Sequence, residues 1–86
     1  MTNAEDNMIN YLRETYATAL EIPEEMVSPD IDLEAEFGLD SLQHRLVLTK
    51  AGERWAVDLG RVESPATITV RSVAQLLKDA GATEQG

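Results

Sequence analysis

The sequence predicts an all-α fold: a small antiparallel bundle of three main helices plus a short fourth, with a long loop after the first. Three observations predict it. Apolar residues recur at helical spacing in three separate stretches, and nothing shows the two-residue alternation of a strand. Helix-start and helix-stop residues bracket those stretches. The 86 residues suffice for one small core and for no second one. The chain is therefore read as one domain over 1–86, ordered from about residue 4 to 81, with 82–86 frayed.

The first helix is expected from about residue 4 to 20. Asn3 suits its N-cap, Glu5 and Asp6 suit its first turn, and Ile9, Leu12, Tyr16 and Leu20 form its apolar stripe, flanked by Met8 and Ala19. Tyr11 and Tyr16 read as core or boundary packing rather than ligand stacking. Pro23, with Glu24 and Glu25 behind it, fits a single helical turn. Ser28-Pro29-Asp30 then breaks the pattern, and a loop runs to Asp40, pinned by Met26, Val27, Ile31, Leu33 and Phe37. Its acids Asp30, Asp32, Glu34 and Glu36 do not make a calcium loop. An EF-hand counted from Asp30 needs Gly at 35 and Glu at 41, where this chain has Ala35 and Ser41. They read as a solvated acidic face.

The second main helix is expected from Ser41 to Trp55. At a step of about 100° per residue, His44, Val47, Leu48, Ala51 and Trp55 fall on one side, which faces the core. Leu42, Arg45, Leu46, Thr49 and Glu53 fall on the opposite side. Gly52 costs about 1 kcal/mol relative to Ala in a helix interior, so it marks a close neighbour or a nearby helix end. Beyond Trp55 the pattern is irregular, with room for a short helix near Arg61 to Ala66. Thr69 then caps a last helix with the stripe Val70, Val73, Leu76 and Leu77, Lys78 in its last turn and Gly81 as the stop.

Composition narrows function. Asp+Glu 16 against Lys+Arg 7 gives a net charge of −9, which argues against nucleic acid and anionic membrane surfaces and for partners with basic patches. No apolar run approaches the length needed to span a bilayer, and the polar start Met1-Thr2-Asn3-Ala4-Glu5-Asp6 lacks a signal-peptide pattern, so a cytoplasmic protein is expected. With Cys 0 there is no disulfide and no thiolate zinc site. No metal site is expected, and any thiol must come from an added group.

The chemistry concentrates in Gly38-Leu39-Asp40-Ser41-Leu42. Gly38 permits a sharp turn at positive φ, and Asp40 with Gln43 three residues on makes a capping-box variant. Ser41 then lies in the first helical turn, where free N–H groups and the helix dipole favour a phosphate.

These five residues resemble the G-x-D-S-L attachment motif of acyl carrier proteins. The resemblance extends over nearly the whole chain in length, acidity and helix order. It implies a 4′-phosphopantetheine joined to Ser41 by a phosphodiester, flanked by Asp40 and Leu42, whose thiol holds acyl groups as thioesters. It implies a free-standing, monomeric carrier rather than an enzyme, with no catalytic residues of its own. Its partners would be a phosphopantetheinyl transferase using coenzyme A and Mg²⁺, then acyl-loading, ketosynthase-type and releasing enzymes. Peptidyl carriers often show G-G-x-S at the motif, whereas Leu39-Asp40 is similar to acyl carriers of fatty-acid and polyketide synthesis. The expected setting is polyketide or other secondary-metabolite synthesis, with a peptidyl or aminoacyl carrier of a nonribosomal pathway as the alternative. One departure concerns docking: the family's second helix commonly has a glutamate five residues after the serine, and here Leu46 stands there with Arg45 before it. Arg45, Leu46 and Thr49 are the expected docking residues.

Two readings of other classes compete. An enzyme would use Ser41 as nucleophile, His44 as base and Asp40 as orienter, but G-x-S-x-G is absent and so small a bundle offers no evident enclosed substrate pocket or oxyanion hole. An unmodified acidic interaction domain needs no special serine at a helix start, so the D-S-L context counts against it.

Overall fold

A computed structural model describes residues 4–59 and 66–81. Helix α1 spans Ala4–Leu20, and a 3-10 turn follows at Glu24–Met26. Helix α2 spans Leu33–Phe37, α3 Ser41–Trp55 and α4 Val70–Asp79. No strand occurs among the described residues. Helix α1 packs on both α3 and α4, which also touch one another, so the core lies between three helices as the apolar stripes require.

Met8, Leu12 and Tyr16 supply the α1 side of that core and are fully buried, while Ile9 is nearly so and Ala19 and Leu20 lie at its margin. The stripe is thus centred on Met8, one residue from the Ile9 expected to lead it. Val47, Ala51 and Trp55 meet it from α3, and Val70, Val73 and Leu77 from α4. Both tyrosines pack as expected: Tyr16 is buried, and the Tyr11 ring meets Trp55 edge-on at 5.1 Å.

The stretch expected as pure loop holds a five-residue helix. Asp32 caps α2 by accepting hydrogen bonds from the N–H groups of Glu34 (3.1 Å) and Ala35 (3.0 Å), and Gly38 stops it at φ 66°. One turn shows no apolar period, so periodicity alone missed it. Asp32 and Gly38, six residues apart, were the signal. The short helix expected near Arg61 to Ala66 falls, apart from Ala66, outside the described residues, as do Asn3 and the 82–86 tail.

The first loop is fastened from both sides. Arg13 donates from Nε to the Val27 carbonyl (2.7 Å) and from Nη2 to that of Glu24 (3.2 Å). The Leu33 N–H donates to the Ile68 carbonyl (2.9 Å), and that of Arg71 to the Pro29 carbonyl (3.0 Å). The Arg71 guanidinium reaches Asp30 at 2.7 Å and, through that hydrogen bond, holds its carboxyl below the usual range. Val27 and Leu33 are buried and Ile31 and Phe37 pack at the margin, as expected for pinning residues. Met26 is not one of them: the turn at Glu24–Met26 leaves it 51% exposed.

Gly52 satisfies both of its readings. A Cβ there would stand 2.7 Å from the Val57 carbonyl oxygen, because the chain folds back over α3 immediately after its last turn. The N–H groups of Ala56 and Val57 both donate to the Gly52 carbonyl, closing the helix.

Candidate functional site

The site is built around the start of α3. Gly38 turns the chain out of α2 in the left-handed region, and Leu39, almost fully buried, anchors the connection. Asp40 then accepts from the Gln43 N–H (2.7 Å) while Gln43 Oε1 accepts from the Asp40 N–H (3.0 Å). This reciprocal box satisfies two donors and fixes the helix start. Gln43 Nε2 also donates to the Ala19 carbonyl (3.1 Å), tying the box to the end of α1. Ser41, the first residue of α3, is exposed, with its own N–H and that of Leu42 among the helix-start donors. The arrangement presents one hydroxyl to solvent on a rigid mount at the positive end of a helix.

A cleft of about 720 Å³ opens from Ser41 along α3, lined among others by Arg45, Leu48, Thr49, Gly52 and Leu59. A smaller cavity of about 270 Å³ lies on the other side, bounded by Glu34, Leu39, Asp40 and Ile68. Ser41 and His44 line both. Of the expected docking residues, exposed Arg45 and Thr49 stand at the rim of the larger cleft. Leu46 lies outside it, 49% exposed, beside Leu42 at 78%. The two leucines thus face outward, as the helical wheel requires.

His44 is buried at the first turn of the same helix, with the Tyr16 hydroxyl 2.9 Å from Nδ1. Burial pushes its pKa below the ordinary value, the charge of Glu34 opposing, so the ring is neutral at pH 7. Burial also raises the Tyr16 pKa, which keeps that phenol protonated. Ser41 makes no hydrogen bond to His44 or Asp40 among the described residues. The side chain of Asp40 is committed to the cap and Nδ1 of His44 to Tyr16, so no nucleophile–base–orienter relay forms. Nor do the described residues bring together three groups able to hold a metal. Sequence reasoning placed His44 on the core side but did not foresee Tyr16; their sequence separation of 28 residues gave no local signal.

The residues present fit a phosphodiester-linked group on Ser41: an exposed hydroxyl, helix-start donors for phosphate oxygens, and an adjoining cleft large enough for a small-molecule chain. A family model described as a phosphopantetheine attachment site matches residues 10–77. An acyl carrier protein of Streptomyces coelicolor is 28% identical over 86 residues, covering 99% of this chain and 94% of that protein. No solved structure gives a significant match.

Proposed function

We propose, for a chain that belongs to the phosphopantetheine attachment-site family, that Ser41 is the serine bearing the prosthetic group. The family identity makes the protein a carrier with covalently attached 4′-phosphopantetheine, acted on by partner enzymes rather than catalysing a reaction itself. The observation that carries the assignment to Ser41 is its exposed position at the box-capped start of α3, inside Gly38-Leu39-Asp40-Ser41-Leu42. The group supplies the thiol that the cysteine-free chain lacks. Asp40 holds the helix start in place, and Leu42 stands exposed beside the serine as a contact for enzymes that approach it.

The cargo is an acyl group, held as a thioester in polyketide or other secondary-metabolite synthesis by a monomeric, cytoplasmic protein. The Leu39-Asp40 pair before the serine favours the acyl over the peptidyl reading. Partners are a phosphopantetheinyl transferase, then acyl-loading, ketosynthase-type and releasing enzymes. They dock on α3 at Arg45, Leu46 and Thr49. Three cations, Arg45, Lys50 and Arg54, against the one acid Glu53 make this helix basic in an acidic protein, so docking rests on the outward leucines more than on acid-to-base steering. Mass spectrometry of the protein made in cells tests the assignment: the adduct should map to the peptide containing Ser41, and its absence or placement on another serine would refute it.

A further inference from the structure

The cleft beside Ser41 is bounded by one buried polar side chain whose hydrogen bonding is incomplete. His44 is 6% exposed, and its Nε2 has no hydrogen-bond partner among the described residues. The tautomer follows from its neighbour. The buried Tyr16 hydroxyl has a proton to place, and its hydrogen-bond partner is Nδ1 of His44, at 2.9 Å. Tyr16 therefore donates, Nδ1 accepts, and the single proton of the neutral ring sits on Nε2. That N–H points away from Tyr16; His44 lines both cavities at Ser41, but Nε2 itself is shut off from solvent, so an acceptor in the cleft reaches it only as the cleft wall moves aside. A buried donor without an acceptor is costly, whereas a Leu or Val in this position would complete the core without that cost. The larger cleft, about 720 Å³, has the size of a small-molecule site.

We propose that His44, oriented by Tyr16, is a specificity-determining residue whose Nε2–H hydrogen-bonds a carbonyl oxygen carried into the cleft by the group on Ser41. The inference rests on Ser41 as the attachment point. Two sources offer that oxygen, an amide of the pantetheine arm or an oxo group of the acyl cargo. A plain alkyl chain offers none beyond its thioester, so this cleft favours oxygen-bearing cargo if the cargo is the source. Glu34, the charged group acting on His44 across the smaller cavity, is the internal acceptor that must be excluded.

The test uses the full chain as apo protein and in three loaded forms made with a promiscuous phosphopantetheinyl transferase: arm alone, hexanoyl and 3-oxohexanoyl, with carbonyl carbons labelled with ¹³C. Intact mass is read first. No adduct on Ser41 overturns both the attachment assignment and this inference; an adduct formed leaves the inference to be judged by itself. Histidine ¹H–¹⁵N correlation spectra at pH 7.5 should show the Nε2–H tautomer in the apo protein. On loading, the Hε2 signal should move downfield and exchange more slowly with water. A shift already complete with the arm alone assigns the acceptor to an arm amide, and one confined to the 3-oxohexanoyl form assigns it to the cargo. The labelled carbonyl should move downfield with it and revert in His44→Phe; should that variant fail to fold, the Hε2 shift in the parent decides. An Nδ1–H tautomer in the apo protein, an unchanged Hε2 signal in every loaded form, or an Hε2 position that collapses only in Glu34→Ala would overturn the proposal.

Discussion

Helices α3 and α4 begin alike and are filled differently. Each opens with a side-chain cap reciprocated three residues on, Asp40 with Gln43 and Thr69 with Ser72. In α4 the buried positions are Val70, Val73, Ala74 and Leu77, all apolar, while Arg71 and Gln75 face solvent. In α3 the buried face includes His44 and Gly52, and two leucines stand outside it. Helix α4 obeys every rule that stabilises a bundle; α3 breaks three of them within a dozen residues of Ser41. Local violations collected on one element mark a place shaped by something besides stability, and here they surround the candidate site.

Substitutions in the two helices should separate these roles. The largest effect on folding is expected in α4: Leu77→Ala removes a fully buried side chain from the centre of the core and should cost about 2–5 kcal/mol. That is a large share of the ~5–15 kcal/mol typical of a domain, and it should appear as a lower urea midpoint, with the adduct on Ser41 still formed in the folded fraction. In α3, Gly52→Ala sets two effects against one another. Helix propensity gains about 1 kcal/mol, but the new methyl would meet the Val57 carbonyl at 2.7 Å, a backbone atom that moves only with the helix cap. Overpacking costs of about 1–3 kcal/mol should prevail, and a higher midpoint than the parent's would show that the segment after Trp55 yields freely.

Substitutions at Leu46 should barely change stability, since the residue is half exposed, and should act on docking. Leu46→Ala should weaken the cognate enzyme about tenfold, equivalent to ~1.4 kcal/mol, just under the ~1.5–3 kcal/mol of a fully buried leucine. An exposed ion pair would contribute only ~0–1 kcal/mol. Leu46→Glu should weaken it further. Affinities of both variants matching the parent's would place Leu46 outside the docking surface.

The smallest effect is on pH dependence. His44 has a pKa below its ordinary 6.5, through burial, with Glu34 opposing. The unfolded chain therefore takes up this proton at higher pH than the folded one. Stability present above about pH 6.5 is lost as pH falls through that value toward the folded pKa. His44→Gln removes the titration, so the parent's stability relative to this variant should decline between pH 7.5 and 5.5 in urea titrations. The carboxylates titrate in both proteins and largely cancel. A constant difference would contradict the burial of a neutral ring.

What was legible in the sequence follows from how local its cause is. The start of α3 was readable because an N-cap, its reciprocal partner and a flexible glycine lie within six residues, Gly38 to Gln43. The same holds for Thr69 and for Gly81, which takes φ 101° just past α4. Helix α2 escapes a reading by periodicity because one turn has none to detect, although Asp32 and Gly38 mark its cap and stop. Met26 reads as an anchor in the sequence and lies exposed in the fold, because hydrophobicity says nothing of direction where no period sets a face. The Tyr16–His44 pair and the two straps on the first loop, from Arg13 and Arg71, join residues far apart in the sequence through a few hydrogen bonds at most. Only the folded chain brings such partners together.

In the proposed assignment Ser41 carries the prosthetic group on a mount that does not depend on the serine itself. Its side chain makes no hydrogen bond among the described residues, and alanine is at least as good a helix former, so Ser41→Ala should leave the urea midpoint near the parent's. The direct measurement is intact mass after incubation of parent and Ser41→Ala with a phosphopantetheinyl transferase, coenzyme A and Mg²⁺. The parent should gain one phosphopantetheine and the variant none. An adduct persisting in a folded Ser41→Ala protein, or a parent that stays unmodified, would contradict the account.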